Sequence, residues 1–386
     1  MLNNQSHLFN LPDDVTYLNC AYMSPMLKSV SVIGKRAIIQ KENPTEIFPN
    51  HFFELPQKLR EQFAKLIEVE NADDCAIVPS ASYAIENVAK NLKGGKGDNI
   101  IVLAEQFPSN LYPWKAVEQN GVEIKVVAPA PNSTNRTENW NAEILKAIDT
   151  NTIMVAMGHV HWADGTLFDL KAISKKAKSV GALLVIDGTQ SIGALPFSVK
   201  EIEPDMVVAS GYKWLLGPYS IGVAYYGKYF HDKLPIENNW LHRLGSENFE
   251  GLVNYQDLYQ PRSRRFEMGE SPNFILAPML TESIRQLNEW GIDNIQEYCG
   301  NLTSGPIDEL RNMGYSIEQD DVRAKHLFGI RLPEGLDINA LKEEFAKMKI
   351  FLSIRGKSVR IATHLFNDQN DMDKLIEGFK KFNNAQ

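Results

Sequence analysis

Between about residue 73 and residue 227 short apolar runs alternate with longer stretches of helical spacing, and few folds tolerate that pattern. It is the pattern of a mostly parallel sheet, because each parallel strand pair needs a long crossover connection, usually a helix. It predicts strands at Cys75–Pro79, Asn99–Ala104, Glu123–Val127, Thr152–Met157, Ala182–Asp187, Met206–Ser210 and Ile221–Tyr226. Several are apolar throughout, as expected where helices cover both faces of a sheet. Between them, helices are predicted at Tyr83–Leu92, Ser109–Gln119, Ala142–Ile148 and Leu170–Val180.

After about residue 255 the pattern changes to that of a separate α+β unit. Helices are predicted at Ile275–Trp290, Ile292–Met313, Ile338–Met348 and Asp371–Phe382, with short strands around His326–Leu332, Ile350–Ile354 and Val359–Ala362. The polar stretch Gln256–Arg265, which contains Pro261, is the expected boundary. The chain should therefore divide into a large domain over 16–260 and a small domain made from 1–15 and 261–386. Its 386 residues suit two units better than one core.

Composition narrows the function classes. With 44% hydrophobic and 23% charged residues the chain resembles soluble globular proteins. A net charge of −8 with no Lys/Arg run argues against nucleic acid as a partner. Cys20, Cys75 and Cys299 are an odd, scattered set, which favours a reducing compartment over a disulfide framework. The polar start and the lack of a long apolar run predict a cytoplasmic protein with no membrane partner.

Ligands of open parallel sheets bind beyond the carboxyl ends of the strands, so polar residues that follow apolar runs come first. One run ends in Asp187, followed by Gly188–Thr189–Gln190, and another ends in Ser210, followed by Gly211–Tyr212–Lys213–Trp214. A lysine among aromatic and aliphatic residues is partly desolvated, which lowers its pKa and favours a nucleophilic neutral amine. The plainer alternative is a lysine whose stem covers an apolar patch. Asp187 could equally cap a helix or close a turn. Pro79–Ser80–Ala81–Ser82 lies between a strand and a helix, where free N–H groups favour an anion, although capping alone would account for both serines. His159–Val160–His161 with Asp164 opens a different class, a metal-dependent hydrolase, if three such ligands converge.

DGTQSIG over 187–193, followed by SGYKWLLGP over 210–218, resembles the Asp-x-x-Gln and Ser-x-His-Lys segments of the class V aminotransferases. Relatives in that group include cysteine desulfurases, kynureninase and isopenicillin N epimerase-like proteins. The resemblance runs from Tyr17–Ala21 to Val359–Asn367. It implies the aspartate-aminotransferase type of fold, an α/β fold with a mostly parallel seven-stranded sheet and a smaller α+β C-terminal domain. It also implies pyridoxal 5′-phosphate (PLP) as cofactor and an amino acid as substrate. Lys213 would form the Schiff base and carry the substrate's α-proton. Asp187 would pair with the protonated pyridine nitrogen and keep the ring an electron sink. Gln190 would bond the cofactor's phenolic oxygen, and Ala81, Ser82, Ser210 and Tyr212 would hold its phosphate. Tyr212 stands where the family often has His.

Phe107 falls where cysteine desulfurases have His and other members an aromatic ring, and would stack on the cofactor unless it is ordinary core. Trp162 replaces a common Asn and is expected to shape the substrate pocket, while His161 either reaches the site or is structural. Arg265–Asn273 resembles a segment that acts across the family's dimer, which implies a homodimer with the cofactor near the interface. Ser271 would contact the partner's phosphate, although Glu270–Ser271 replaces a single Thr. Arg360, or its neighbour Arg355, would grip the α-carboxylate unless it forms a surface ion pair. Lys347–Arg355 runs through without the cysteine that desulfurases carry shortly before this arginine. The expected activity is therefore aminotransfer and not persulfide-type desulfuration. Epimerisation, β-lyase chemistry and a non-catalytic PLP fold are the alternatives.

Overall fold

The computed structural model describes residues 2–130, 135–333, 335–356 and 358–385. The first half runs β1 (Thr16–Tyr17), α1 (Lys28–Glu42), α2 (His51–Leu66), β2 (Cys75–Val78), α3 (Ala81–Asn91), β3 (Asn99–Leu103), α4 (Tyr112–Glu118), β4 (Glu123–Val127) and α5 (Arg136–Ala147). Then come β5 (Thr152–Gly158), α6 (Leu170–Ser179), β6 (Leu183–Asp187), α7 (Val199–Ile202), β7 (Met206–Ser210) and β8 (Gly222–Tyr226). The remainder is α8 (Leu276–Trp290), α9 (Ile292–Asn312), β9 (Leu327–Arg331), α10 (Ile338–Lys347), β10 (Ile350–Phe351), β11 (Ser353–Arg355), β12 (Ser358–Ala362) and α11 (Gln369–Ala385).

Strands β2 to β8 form one sheet in the order β2-β8-β7-β6-β5-β3-β4, and only β8 runs against its neighbours. All seven strands expected from the sequence are present. Alternate residues point to opposite faces of a strand. Ile77, Ile101, Val155, Ile186 and Val207 therefore join one core with α2, α5, α6 and α8, while Val78, Val102, Ala156, Val185 and Val208 join a second core with α3 and α4. With both faces covered, the edge carrying the strands' carboxyl ends is where polar groups can collect.

A third core holds the smaller unit, in which the antiparallel sheet β11-β12-β9 packs with α9, α10 and α11. Beyond residue 260, Phe266 belongs to the second core, and Ala277, Leu280, Ile284 and Leu287 of α8 bury their face in the first, against α1 and α2. At the amino end, Gln5 donates its backbone N–H to Leu365 O, and β1 pairs with β10. Helices α1 and α2 were not among the expected elements.

Candidate active site

Strands β2, β3, β5, β6 and β7 all end at one rim, and the turns that follow them enclose a cavity of about 270 Å³. Its wall includes Ala81, Ser82, Phe107, Trp162, Asp187, Gln190, Ser210, Tyr212 and Lys213. The structure thus gathers nine of the expected site residues, drawn from five separate strand ends.

Lys213 is 7% exposed. It follows the turn after β7, where Gly211 is required because a Cβ there would lie 2.5 Å from Ile221 O. Its Nζ sits 5.3 Å from the centre of the Phe107 ring and 5.5 Å from that of Tyr212. Burial lowers its pKa to about 8; Asp187 opposes that shift, and Arg360 and Arg355 reinforce it. This is the partly desolvated amine that the surrounding sequence suggested.

Asp187 closes β6 and accepts the Thr189 N–H at 3.0 Å through Oδ1, which fixes the carboxylate at the cavity wall. At the start of α3, Ser80 caps the helix by accepting the Tyr83 N–H at 3.2 Å, and its Oγ lies 2.9 Å from Ser82 Oγ. The N–H groups of Ala81 and Ser82 have no acceptor among the described residues, which leaves two donors at the positive end of a helix on the cavity wall, where an anion would suit them. Gln190 is more constrained than expected. It donates to Ala21 O at 3.1 Å and accepts from Trp214 Nε1 at 2.8 Å, leaving one amide hydrogen for a ligand.

Phe107 packs edge-on to Trp162, 5.4 Å between centres, and Trp162 is held by donating Nε1 to Glu105 O at 2.7 Å. Arg360 is 1% exposed and reaches the same corner, donating from Nη1 to Trp162 O at 2.8 Å. Its Nε and Nη2 are buried without a partner. Burial and then Arg355 push its pKa down to about 9, the signature of a cation that lacks an anion.

Ser271 is 2% exposed and lines a small cavity with Phe52, Phe53, Arg60 and Glu267, apart from the one around Lys213. The metal reading of His159, His161 and Asp164 fails geometrically. His159 packs on Phe197, while Asp164 is occupied by His161 Nδ1 at 3.1 Å, Arg136 and Arg331. Among the described residues no three His, Cys, Asp or Glu side chains gather as a metal set. Thr189 and Gln106 were overlooked. Both line the cavity, and Thr189 Oγ1 accepts the Ser210 N–H at 3.3 Å, tying the turns after β6 and β7 together. The position of Thr189 inside the Asp-Gly-Thr-Gln turn was the available signal.

These residues fit PLP. Helix-end donors and hydroxyls suit its phosphate, Asp187 its ring nitrogen, Phe107 its ring face and Lys213 its aldehyde. A family model for class V aminotransferases matches residues 45–375, and the chain belongs to that family. It is a PLP-dependent transferase-type enzyme that acts on small amino-acid substrates. An uncharacterized aminotransferase of Bacillus subtilis, YcbU, is 28% identical over 82% of this chain and 81% of its own length. A probable cysteine desulfurase of Methanothermobacter thermautotrophicus is 33% identical over 83% of this chain and 82% of its own. The structure of a C-DES variant with glycine covalently linked to its PLP cofactor superposes with a TM-score of 0.85 at 17% identity, covering 97% of this chain and 98% of that one.

The depressed lysine has a kinetic consequence, because only a neutral amine attacks an aldehyde. Below about 8 Lys213 is protonated, and above that value it is free to react. The rate at which apoprotein recombines with PLP, followed by visible absorbance, should climb with pH and level off just above 8. A rate still climbing through about 10.4, where an ordinary lysine titrates, would contradict the desolvated amine.

Proposed function

We propose that the protein is an aminotransferase that moves the amino group of an amino acid to a 2-oxo acid. The observation that carries this reading is the buried Arg360, with two unpartnered nitrogens, beside a lysine of lowered pKa. A guanidinium fork binds both oxygens of an α-carboxylate and so fixes which bond at the α-carbon faces Lys213. Bound PLP supplies electron withdrawal from that carbon. Lys213 Nζ then takes the α-proton and can return it at a neighbouring atom. Phe107 and Trp162 exclude water from the same corner, and neither can protonate a leaving group on the β-carbon.

The absence of a usable thiol supports transfer over persulfide-type desulfuration, although relatives carry both names. Cys20, Cys75 and Cys299 are fully buried, and burial raises each thiol's pKa, that of Cys299 to about 12. A buried, protonated thiol is a poor nucleophile. Between β11 and β12 the chain has no cysteine.

We also propose a cytoplasmic homodimer. No helix among the described residues is long and apolar enough to cross a membrane. Tyr219 lines the cavity yet is 62% exposed, and Tyr22, Met23 and Met26 next to it in the fold are exposed as well, an apolar rim that a second copy would cover. Light scattering should give twice the chain mass, and an active monomer would exclude the dimer.

The reaction is tested with ¹⁵N-labelled amino-acid donors and a panel of 2-oxo acids. Label should appear in the acceptor, and Arg360→Ala should lower kcat/KM by about 100-fold, on the scale of a lost charge-assisted pair. Racemised or β-cleaved product without label transfer, or a protein persulfide after incubation with cysteine, would contradict the reading.

A further inference from the structure

The hairpin formed by β11 and β12 pairs Ser353 with Arg360 and Arg355 with Ser358. Directly opposed residues share a face of a sheet, as do alternate residues along a strand, so Arg355 and Arg360 project from the same face. They are diagonal neighbours, a relation that sets such residues roughly 7–8 Å apart. Two cations at that spacing in a partly buried corner repel unless something anionic lies between or beside them.

Among the described residues neither arginine has a carboxylate within ion-pair distance. Arg360 donates to Trp162 O, and Arg355 donates from Nη1 to Ile354 O at 2.9 Å. The Arg355 guanidinium also lies 5.7 Å from the centre of the Trp162 ring. Arg355 therefore stands on Trp162, which is part of the wall of the Lys213 cavity, and it lines a second cavity of about 720 Å³. Two other arginines line that second cavity, and both are already matched: Arg136 with Asp164, and Arg331 with Asp164 and Glu318. Glu105, Glu138 and Asp321 line it too without pairing with Arg355.

We propose that the substrate is an amino acid with a carboxylate in its side chain, bound with its α-carboxylate on Arg360 and its side-chain carboxylate on Arg355. The proposal rests on the assignment of Arg360 as the α-carboxylate grip. Both arginines then gain an anion, and Trp162, which touches both of them, becomes the wall along which the substrate side chain lies. The second cavity gives that side chain room beyond Trp162. Amino acids with neutral side chains satisfy only one of the two guanidinium groups.

The test uses holoenzyme and two ligands without an amino group, so that binding is read apart from turnover. Calorimetric titration with glutarate and with butyrate compares a dicarboxylate with a monocarboxylate of similar size. Glutarate is expected to bind at least about tenfold more tightly, the scale of one charge-assisted hydrogen bond. Arg355→Met should remove that preference while leaving butyrate affinity and the thermal midpoint within about twofold and a degree or two of the parent, and Arg355→Lys should restore part of it. Arg360→Met should weaken both ligands. Equal affinity of the parent protein for glutarate and butyrate, or a preference that survives Arg355→Met, overturns the proposal. Neither outcome touches the covalent chemistry of Lys213, and failure of amino-group transfer would remove the proposed reaction without altering the glutarate result.

Discussion

A lysine kept out of water at the rim of a sheet that is apolar on both faces sets the terms for the rest of the site. Because helices cover both faces, the turn after β7 can bury Lys213 against Phe107 and Tyr212 without opening it to solvent. That burial lowers the pKa, and the nearby carboxylate of Asp187 moderates the effect without forming a salt bridge. A direct ion pair would have stabilised the charged amine and removed its nucleophilicity. The arrangement costs stability, as active sites commonly do, and keeps a reactive group available.

Placing a second buried cation nearby requires the small unit to be held firmly, and the chain after β5 does this. Trp162 O receives Arg360, Asp164 O receives the Gly329 N–H at 2.8 Å, and Asp164 Oδ2 pairs with Arg331. At Gly165, φ is +80° and an added Cβ would fall 2.2 Å from Leu327 O, so only glycine permits this approach. His161 and Asp164, which could be read as metal ligands, belong to this seam between the units. The segment that shapes the pocket wall also holds Arg360, the proposed substrate clamp.

How much of this was legible in the sequence depended on distance along the chain. Strand ends and the residues just beyond them were readable, because a parallel sheet covered on both sides produces apolar runs with abrupt polar stops, as at Asp187 and Ser210. The packing of α8 was not, because it looks like any amphipathic helix until α1 and α2 are seen to receive its apolar face. The surroundings of Ser271 were hidden for a related reason: a local motif does not reveal that Phe52, Phe53 and Arg60 from α2 line a small cavity with it. The diagonal relation of Arg355 and Arg360 needed the β11–β12 register, which a spacing of five residues in sequence does not specify.

The chemistry of the site depends most directly on which lysine carries the cofactor. Holoenzyme reduced with borohydride and digested should yield a single modified peptide, with the pyridoxyl group on Lys213. Modification at another lysine, or loss of all cofactor on denaturation after reduction, would contradict the central claim.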